Sequence, residues 1–358
     1  MKILFYLFLF SLTNILFAQD YTAYHDITNA FSVFEKGNKR VLEYTTIHNY
    51  KVGGKGVVYV NNQGILKVYQ EGRVYNTRLT NPSAYHAMDD LILFNVGQQL
   101  MTFDKGQYNL LTSWASHYKV GDSLVIYFDQ LENSFNAYYQ NKKIVLEENV
   151  PGEITHYWVG DNTAAYVDNN ESFKVFYNGT VNEILFNTTV RGVKVAKNTI
   201  CYINENLETF EVVYKGKHQV LEDFVPLAYY IGDDYVAYYS NNNEFKVFYK
   251  GEMKTLGLFE PKKVKAIDDV LTFEQDNLFK VFYKGKTTTL ESFIPSSVVV
   301  DYQTVVYIDA YGNLKGFVDG VSISNIAHNV KTFGVKYNNI RFDLGNNNSK
   351  IYYKGTVY

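Results

Sequence analysis

The sequence has a single cysteine, Cys201, and therefore no intramolecular disulfide. It also has only five prolines and two tryptophans, against 33 tyrosines and 25 phenylalanines. Tyr and Phe favour β-strands, whereas Pro is poorly tolerated inside them. The composition predicts an all-β chain of many short strands joined by tight turns. Cys201 falls where neighbouring repeats carry Ala165 or Ala237, so we interpret it as a small buried side chain.

The chain also lacks any long run of one charge, and its net charge is −3. Nucleic-acid binding needs clustered Lys and Arg, so we expect no nucleic-acid partner. The hydrophobic content of 46% is ample for a folded core and argues against disorder.

The first residues have the pattern of an export signal. Lys2 supplies the positive start, residues 3–16 are mostly apolar, and Ala18 offers a cleavage site. We predict a signal peptide over residues 1–18 and a repeat domain over residues 19–358, in the periplasm or outside the cell. An uncleaved N-terminal anchor is the alternative, although the apolar run is shorter than the ~20 residues of a membrane span. We expect no transmembrane helix in the mature chain.

One unit recurs along the rest of the chain, most clearly as Phe245–Gly251 and Phe279–Gly285. The first residues of the ten copies lie 34 to 38 residues apart: Phe31, Leu66, Leu100, Phe135, Phe173, Phe210, Phe245, Phe279, Leu314 and Ser349. A steady period of this length is the signature of a repeat architecture.

Each unit divides into four short strands separated by turns. In the clearest unit these are Tyr235–Tyr239, Phe245–Tyr249, Lys254–Leu256 and Lys263–Ile267. Four antiparallel strands per unit predict the blade of a β-propeller, and ten copies predict one ten-bladed ring with a wide channel. Two smaller rings or an open array are the alternatives.

The hairpin formed by residues 236–240, an Asn-rich turn and residues 245–249 resembles the WD40-like repeat of TolB-type propellers. The resemblance recurs once per unit, and it implies a propeller in a periplasmic setting. The chain ends soon after the second strand of unit ten, so we expect the last blade to lack a fourth strand. We predict that Tyr21–Tyr24 lies beside this blade and helps to close the ring.

No motif of catalysis is present. The sequence has no His-Glu-x-x-His zinc site, Gly-x-Ser-x-Gly elbow, Cys-x-x-Cys pair or phosphate loop. Asp122, Asp161, Asp233 and Asp268 share one repeated turn position, and turn chemistry explains them. We therefore predict no catalytic residues, no metal and no cofactor.

The candidate binding residues are those that depart from the repeat. His48, His86, His117 and His156 lie just before the turn into the next unit, and both tryptophans, Trp114 and Trp158, are in units three and four. Equivalent positions on adjacent blades face similar directions, so these side chains could form an arc that holds a sugar or peptide. Hydrogen-bonded strand histidines and tryptophans packed between blades are the alternative.

We predict an exported, non-enzymatic scaffold that binds a protein or glycan through a propeller face or its channel. A glycan- or peptide-processing enzyme is the alternative, and an assembly role on a membrane complex is a third possibility. The sequence leaves the ligand and the oligomeric state open.

Overall fold

The computed structural model describes residues 21–358, apart from residues 48, 81 and 347. These residues form ten antiparallel sheets, one after another along the chain. The first strands of successive sheets contact each other and surround a common axis. The sheets are thus the ten blades of one β-propeller, as the repeat predicts.

The strands of blades one to five are β1 Tyr21–His25, β2 Phe31–Glu35 and β3 Asn38–Glu43; β4 Tyr50–Gly53, β5 Gly56–Val60, β6 Ile65–Gln70 and β7 Arg73–Thr80; β8 Ala84–Ala87, β9 Ile92–Val96, β10 Gln99–Asp104 and β11 Gln107–Thr112; β12 Ala115–Val120, β13 Leu124–Asp129, β14 Ser134–Tyr139 and β15 Lys142–Glu147; β16 Tyr157–Val159, β17 Thr163–Val167, β18 Phe173–Tyr177 and β19 Thr180–Leu185.

Those of blades six to ten are β20 Val190–Val195, β21 Thr199–Asn204, β22 Thr209–Tyr214 and β23 Lys217–Glu222; β24 Ala228–Gly232, β25 Tyr235–Tyr239, β26 Glu244–Tyr249 and β27 Glu252–Leu258; β28 Lys262–Ile267, β29 Val270–Gln275, β30 Leu278–Tyr283 and β31 Lys286–Glu291; β32 Val298–Asp301, β33 Thr304–Ile308, β34 Asn313–Val318 and β35 Val321–His328; β36 Thr332–Lys336, β37 Asn339–Asp343, β38 Ser349–Tyr353 and β39 Thr356–Val357.

The repeated Phe or Leu of each unit lies at a β-bulge. The pairing of β26 with β27 shifts between Phe245 and Lys246, and the same shift occurs at Phe279 and at Phe135. These aromatic side chains are buried between neighbouring blades. A bulge bends and twists its strand, which suits a sheet packed on both faces by its neighbours. The repeated segment therefore serves the fold.

The blade boundaries differ from the sequence-based division by one strand. Lys262–Ile267 (β28) pairs with β29 of the following sheet, for example Lys265 with Thr272, and so opens blade eight instead of closing blade seven. The last blade therefore has four strands, although β39 is only two residues long. The prediction that it lacks a fourth strand was wrong, and it is the first blade that has three strands among the described residues.

The ring closes by side-chain packing between blades ten and one. Tyr24 and Phe34 of blade one form a buried cluster with Ile351 and Tyr353 of blade ten. The Phe34 ring also lies edge-on to that of Tyr358, with 5.1 Å between the ring centroids. Of the predicted segment, Tyr24 lies against the last blade, whereas Tyr21 and Ala23 pack against blade two. β1 forms its hydrogen-bonded ladder with β2 of its own blade.

A Glu–Tyr–Lys triad joins the blades at four other seams. In the seam between blades six and seven, Glu222 accepts hydrogen bonds from the Tyr238 hydroxyl at 2.7 Å and from Lys246 Nζ at 2.9 Å. The same arrangement recurs around Glu43, Glu147 and Glu291. Each carboxylate is at the end of an outer strand and holds the second and third strands of the next blade. The triads therefore stabilise the stacking of blades around the ring.

Candidate functional site

The two predicted tryptophans lie in different environments. Trp114 follows β11 in the connection to blade four, and 40% of its surface is exposed. Trp158 lies in β16 and packs, partly buried, into the cluster formed by blades five and six. Trp114 is accessible to a partner, whereas Trp158 contributes to packing between blades.

The predicted histidines make separate local contacts. His86 Nε2 is 3.4 Å from the Tyr118 hydroxyl, and His117 Nδ1 is 3.0 Å from the Tyr157 hydroxyl, so each pairs with the next blade. Burial lowers the pKa of both rings. A nearby lysine adds to this effect at His86, whereas at His117 the carboxylate of Glu153 partly offsets it. His156 is exposed just before β16. His48 lies outside the described residues. Any binding role for these residues stays a prediction.

Lysines on alternate first strands fix neighbouring blades to each other. Lys119, Lys194 and Lys265 each donate to a backbone oxygen of the next first strand, at 2.5 to 2.6 Å. Lys119 and Lys194 also lie 4.2 Å from the centroids of tyrosine rings on that strand. These lysines are engaged within the protein and form part of the packing between blades.

The turns after the first strands converge near the axis and bring together the repeated aspartates. Carboxylate oxygens of Asp161, Asp233 and Asp268, from blades five, seven and eight, all lie within 4.8 Å of one another. This end of the ring is therefore narrow, contrary to the expectation of a wide channel. Gly160 shows how tight the fit is, because a Cβ there would lie 2.4 Å from the backbone oxygen of Ala196.

Burial is the main influence on these carboxyl groups. Together with the neighbouring carboxylates, it raises the pKa of Asp122 to about 8, of Asp233 to about 9 and of Asp268 to about 7. Lys197 takes the aspartate position in blade six; burial opposes its charge, but Asp233 and Asp161 outweigh this effect and raise its pKa. Such a cluster can retain protons at neutral pH or surround a hard cation, which prefers oxygen ligands.

Tyr337 links the turn of blade ten to that of blade three. Its hydroxyl donates a hydrogen bond to Asp89 Oδ1, which also accepts from the backbone N–H of Gly54 in blade two. Its own backbone N–H donates to Asp301 Oδ2 at 2.8 Å. The sequence showed the shared turn position of the aspartates, but not that the turns of distant blades meet.

The two faces of the propeller differ in their exposed side chains. Because successive strands are antiparallel, the turns between second and third strands share one face with the blade-to-blade connections. This face, which we call the apolar face, carries exposed large hydrophobic residues: Ile27, Tyr44, Trp114, Leu131, Phe186, Leu207, Leu227, Leu258, Phe259 and Tyr311.

The opposite, polar face carries the acidic turns and the Lys-Gly turns. Among the described residues, none of its turns has an exposed large hydrophobic side chain, and the other such residues lie on outer strands. Turn composition does contain a signal for the apolar face. Leu131, Leu207 and Tyr311 interrupt turns that are otherwise rich in Asn, Asp and Glu.

Comparison with solved structures finds chains of distant similarity, two of which follow. The WD40 ectodomain of the CRINKLY receptor kinase ACR4 of Arabidopsis thaliana is 12% identical, with a TM-score of 0.35, covering 67% of this chain and 96% of that one. PorZ, a surface component of the type-IX secretion system of Porphyromonas gingivalis, is 11% identical, with a TM-score of 0.28, covering 95% of this chain and 59% of that one.

A search of the curated proteins found no match. No helix among the described residues is long and apolar enough to cross a membrane. The family model for the 10-bladed beta propeller domain, however, matches residues 15–358. The chain therefore belongs to the ten-bladed β-propeller family.

Proposed function

We propose that this protein is an exported, non-enzymatic scaffold that holds a protein partner on its apolar face. The observation that carries the proposal is the difference between the two faces. Single exposed hydrophobic residues are ordinary on any surface, but here every described turn or connection residue that is large, hydrophobic and exposed lies on one face. The most exposed are aromatic, Tyr44 at 89% and Tyr311 at 87%.

A rigid ring suits this role because its turns are held by a continuous scaffold. Asp309, for example, accepts hydrogen bonds from the backbone N–H groups of Tyr311 and Asn313, at 2.8 and 2.9 Å. The exposed Tyr311 ring thus lies on an ordered turn. Binding of a partner there costs little conformational entropy, because the turn is already ordered. Trp114, one of the predicted binding residues, lies on the same face.

Site-specific photo-crosslinking in the native host tests the proposal. A benzophenone side chain would replace Leu207 or Tyr311 on the apolar face. Matched controls would carry it at Val220, on the outer strand of the same blade as Leu207, and at Lys215, in a turn of the polar face. We expect the same protein adduct from positions 207 and 311 and from neither control.

Equal labelling from all four positions, or none from the apolar face, would contradict the proposal. An adduct whose mass falls after glycosidase treatment, with no polypeptide attached, would instead indicate a glycan.

Export is a separate part of the proposal. It rests on the signal pattern of residues 1–18 and on the periplasmic setting that the resemblance to TolB-type repeats implies. We expect cell fractionation to find the protein outside the cytoplasm, and mass spectrometry to find a mature chain that begins at Gln19. Recovery of the intact chain in the cytoplasm would refute this part and leave the binding surface untouched.

A further inference from the structure

The seam between blades eight and nine lacks a tyrosine that two equivalent seams contain. Three lysines on first strands mark the equivalent positions, because each donates to a backbone oxygen of the next first strand. The residue that accepts this hydrogen bond is Tyr157 in blade five and Tyr229 in blade seven, whereas it is Val298 in blade nine. Every residue of blades eight and nine is described, so the difference belongs to the seam itself.

In the two other seams, a tyrosine ring fills the space between the blades. The Tyr157 ring centroid lies 5.3 Å from that of Phe135. The Tyr229 ring centroid lies 5.1 Å from that of Phe210, and its hydroxyl donates to the backbone oxygen of Gly192 at 2.6 Å. A lysine Nζ lies 4.2 Å from the centroid of each tyrosine ring. Each ring is thus held by a phenylalanine and a lysine of the preceding blade.

A cavity of about 300 Å³ occupies the corresponding place between blades eight and nine. Phe279, Lys265 and Val298 line it, in the positions of the phenylalanine, the lysine and the tyrosine of the other seams. Lys263 and Ser296, which are exposed, also line it, so the cavity is open to solvent. A cavity of about 150 Å³ is enough for benzene, and this one therefore has room for an aromatic ring.

Two polar side chains take the place of apolar ones in the lining of this cavity. Thr272 has the register position of Cys201 in blade six, and Glu274 has that of Ile203. Blade four also has apolar residues at both positions. The Thr272 side chain is 1% exposed, and its hydroxyl oxygen has no hydrogen-bond partner among the described residues. Because an unpaired buried hydroxyl is costly, the lining favours a ligand that carries a hydrogen-bonding group.

We propose that this cavity binds the aromatic ring of a phenolic ligand, in the place that tyrosine occupies in the two other seams. The ring would pack against Phe279 and below Lys265 Nζ, which adds a cation–π contact. Tyr229 packs against the cluster that contains Cys201, so a ring in the same place here would lie beside Thr272. The Thr272 hydroxyl can donate to or accept from the phenol hydroxyl. A free phenol and the tyrosine side chain of a polypeptide share this chemistry.

p-Cresol, the side-chain analogue of tyrosine, is the probe. It would be titrated into the purified protein and followed by saturation-transfer difference NMR. We expect saturable binding, and we expect toluene to bind about threefold or more weakly, because it lacks the hydroxyl. N-acetyl-tyrosinamide separates the two sources of the ring. Binding as tight as that of p-cresol indicates a tyrosine of a polypeptide, whereas binding that is about tenfold or more weaker indicates a free phenol.

Substitutions at three positions locate the site. Val298→Tyr supplies the ring that the two other seams already contain, and it should weaken p-cresol binding by about tenfold or more. Val321→Tyr, at a position that is 63% exposed on the outer strand of the same blade, is the control and should leave binding unchanged. Thr272→Val removes the hydroxyl, and it should weaken the binding of p-cresol by about threefold while leaving that of toluene unchanged.

Absence of saturable p-cresol binding, or equal affinity for p-cresol in Val298→Tyr and Val321→Tyr, would overturn the proposal. Equal affinity of the wild type for toluene and p-cresol would also overturn it, because the polar lining would then have no role. These titrations contain no protein partner. A failure of the crosslinking experiment therefore leaves this inference standing, and the reverse also holds.

Discussion

The acidic cluster predicts that the protein loses stability as the pH rises through the neutral range. Burial raises the pKa of Asp268 to about 7 and of Asp233 to about 9, both above the ordinary value near 4. At pH values between the ordinary pKa and these raised pKa values, the folded state keeps protons that the unfolded state has released. The stabilisation is complete below about pH 4 and is lost as the pH rises through the folded pKa values.

The magnitude follows from one retained proton. Within this window, each rise of one pH unit lowers the free energy of unfolding by about 1.4 kcal/mol per retained proton. A rise from pH 5 to pH 7 therefore lowers it by about 3 kcal/mol if one proton is retained. With an unfolding entropy of about 2.1 cal/mol/K per residue, a chain of this size loses about 4 °C in Tm for that amount.

Asp233→Asn removes one such group and keeps the shape of the side chain. Calorimetry in EDTA-containing buffer should show that the Tm of this variant gains about 4 °C relative to the wild type between pH 5 and pH 7. Asp223→Asn, at an exposed aspartate outside the cluster, is the control and should follow the wild type. Parallel curves of Tm against pH for Asp233→Asn and the wild type would refute the assignment of retained protons to this cluster.

Three further predictions concern packing. Glu222→Ala leaves Tyr238 and Lys246 without their shared acceptor and should lower the free energy of unfolding by urea by about 3 kcal/mol. Glu252→Ala, at an exposed position, is the control and should lower it by less than about 0.5 kcal/mol. Equal losses of stability in the two variants would contradict the role of the triad. Phe34→Ala leaves a cavity between blades one and ten and should lower the free energy of unfolding by about 3 to 5 kcal/mol. Tyr44→Ala, at an exposed position, is the control and should have little effect. An unchanged midpoint of urea unfolding for Phe34→Ala would show that the ring does not close there. Cys201 is fully buried, and burial raises the pKa of its thiol to about 12. A thiol reagent should therefore modify it only after denaturation. Rapid modification of the folded protein would refute the burial of this strand.

The sequence predicts the ten-bladed ring because the period and the pattern of strands and turns agree. It does not predict where one blade ends and the next begins, since a repeat can be divided at any turn. Only the hydrogen bonds between Lys262–Ile267 and the following strand show that this segment opens a blade.

The candidate sites were harder to predict for a similar reason. Each turn aspartate is explained by local turn chemistry, so nothing in one unit reveals that Asp161, Asp233 and Asp268 meet at the axis. The apolar face arises from the antiparallel order of strands, which places turns of different blades on one side. The histidines and tryptophans depart from the repeat, but in His86 and His117 that departure supplies contacts to the next blade.

Affinity for the crosslinked partner tests the central claim most directly. Leu207→Glu combined with Tyr311→Glu adds two charges to the apolar face, and Val220→Glu combined with Met253→Glu adds two charges to outer strands as a control. By calorimetric titration with that partner, we predict that the first pair weakens binding by about tenfold or more and that the control pair does not. Equal affinity of the two double variants would contradict a binding role for the apolar face.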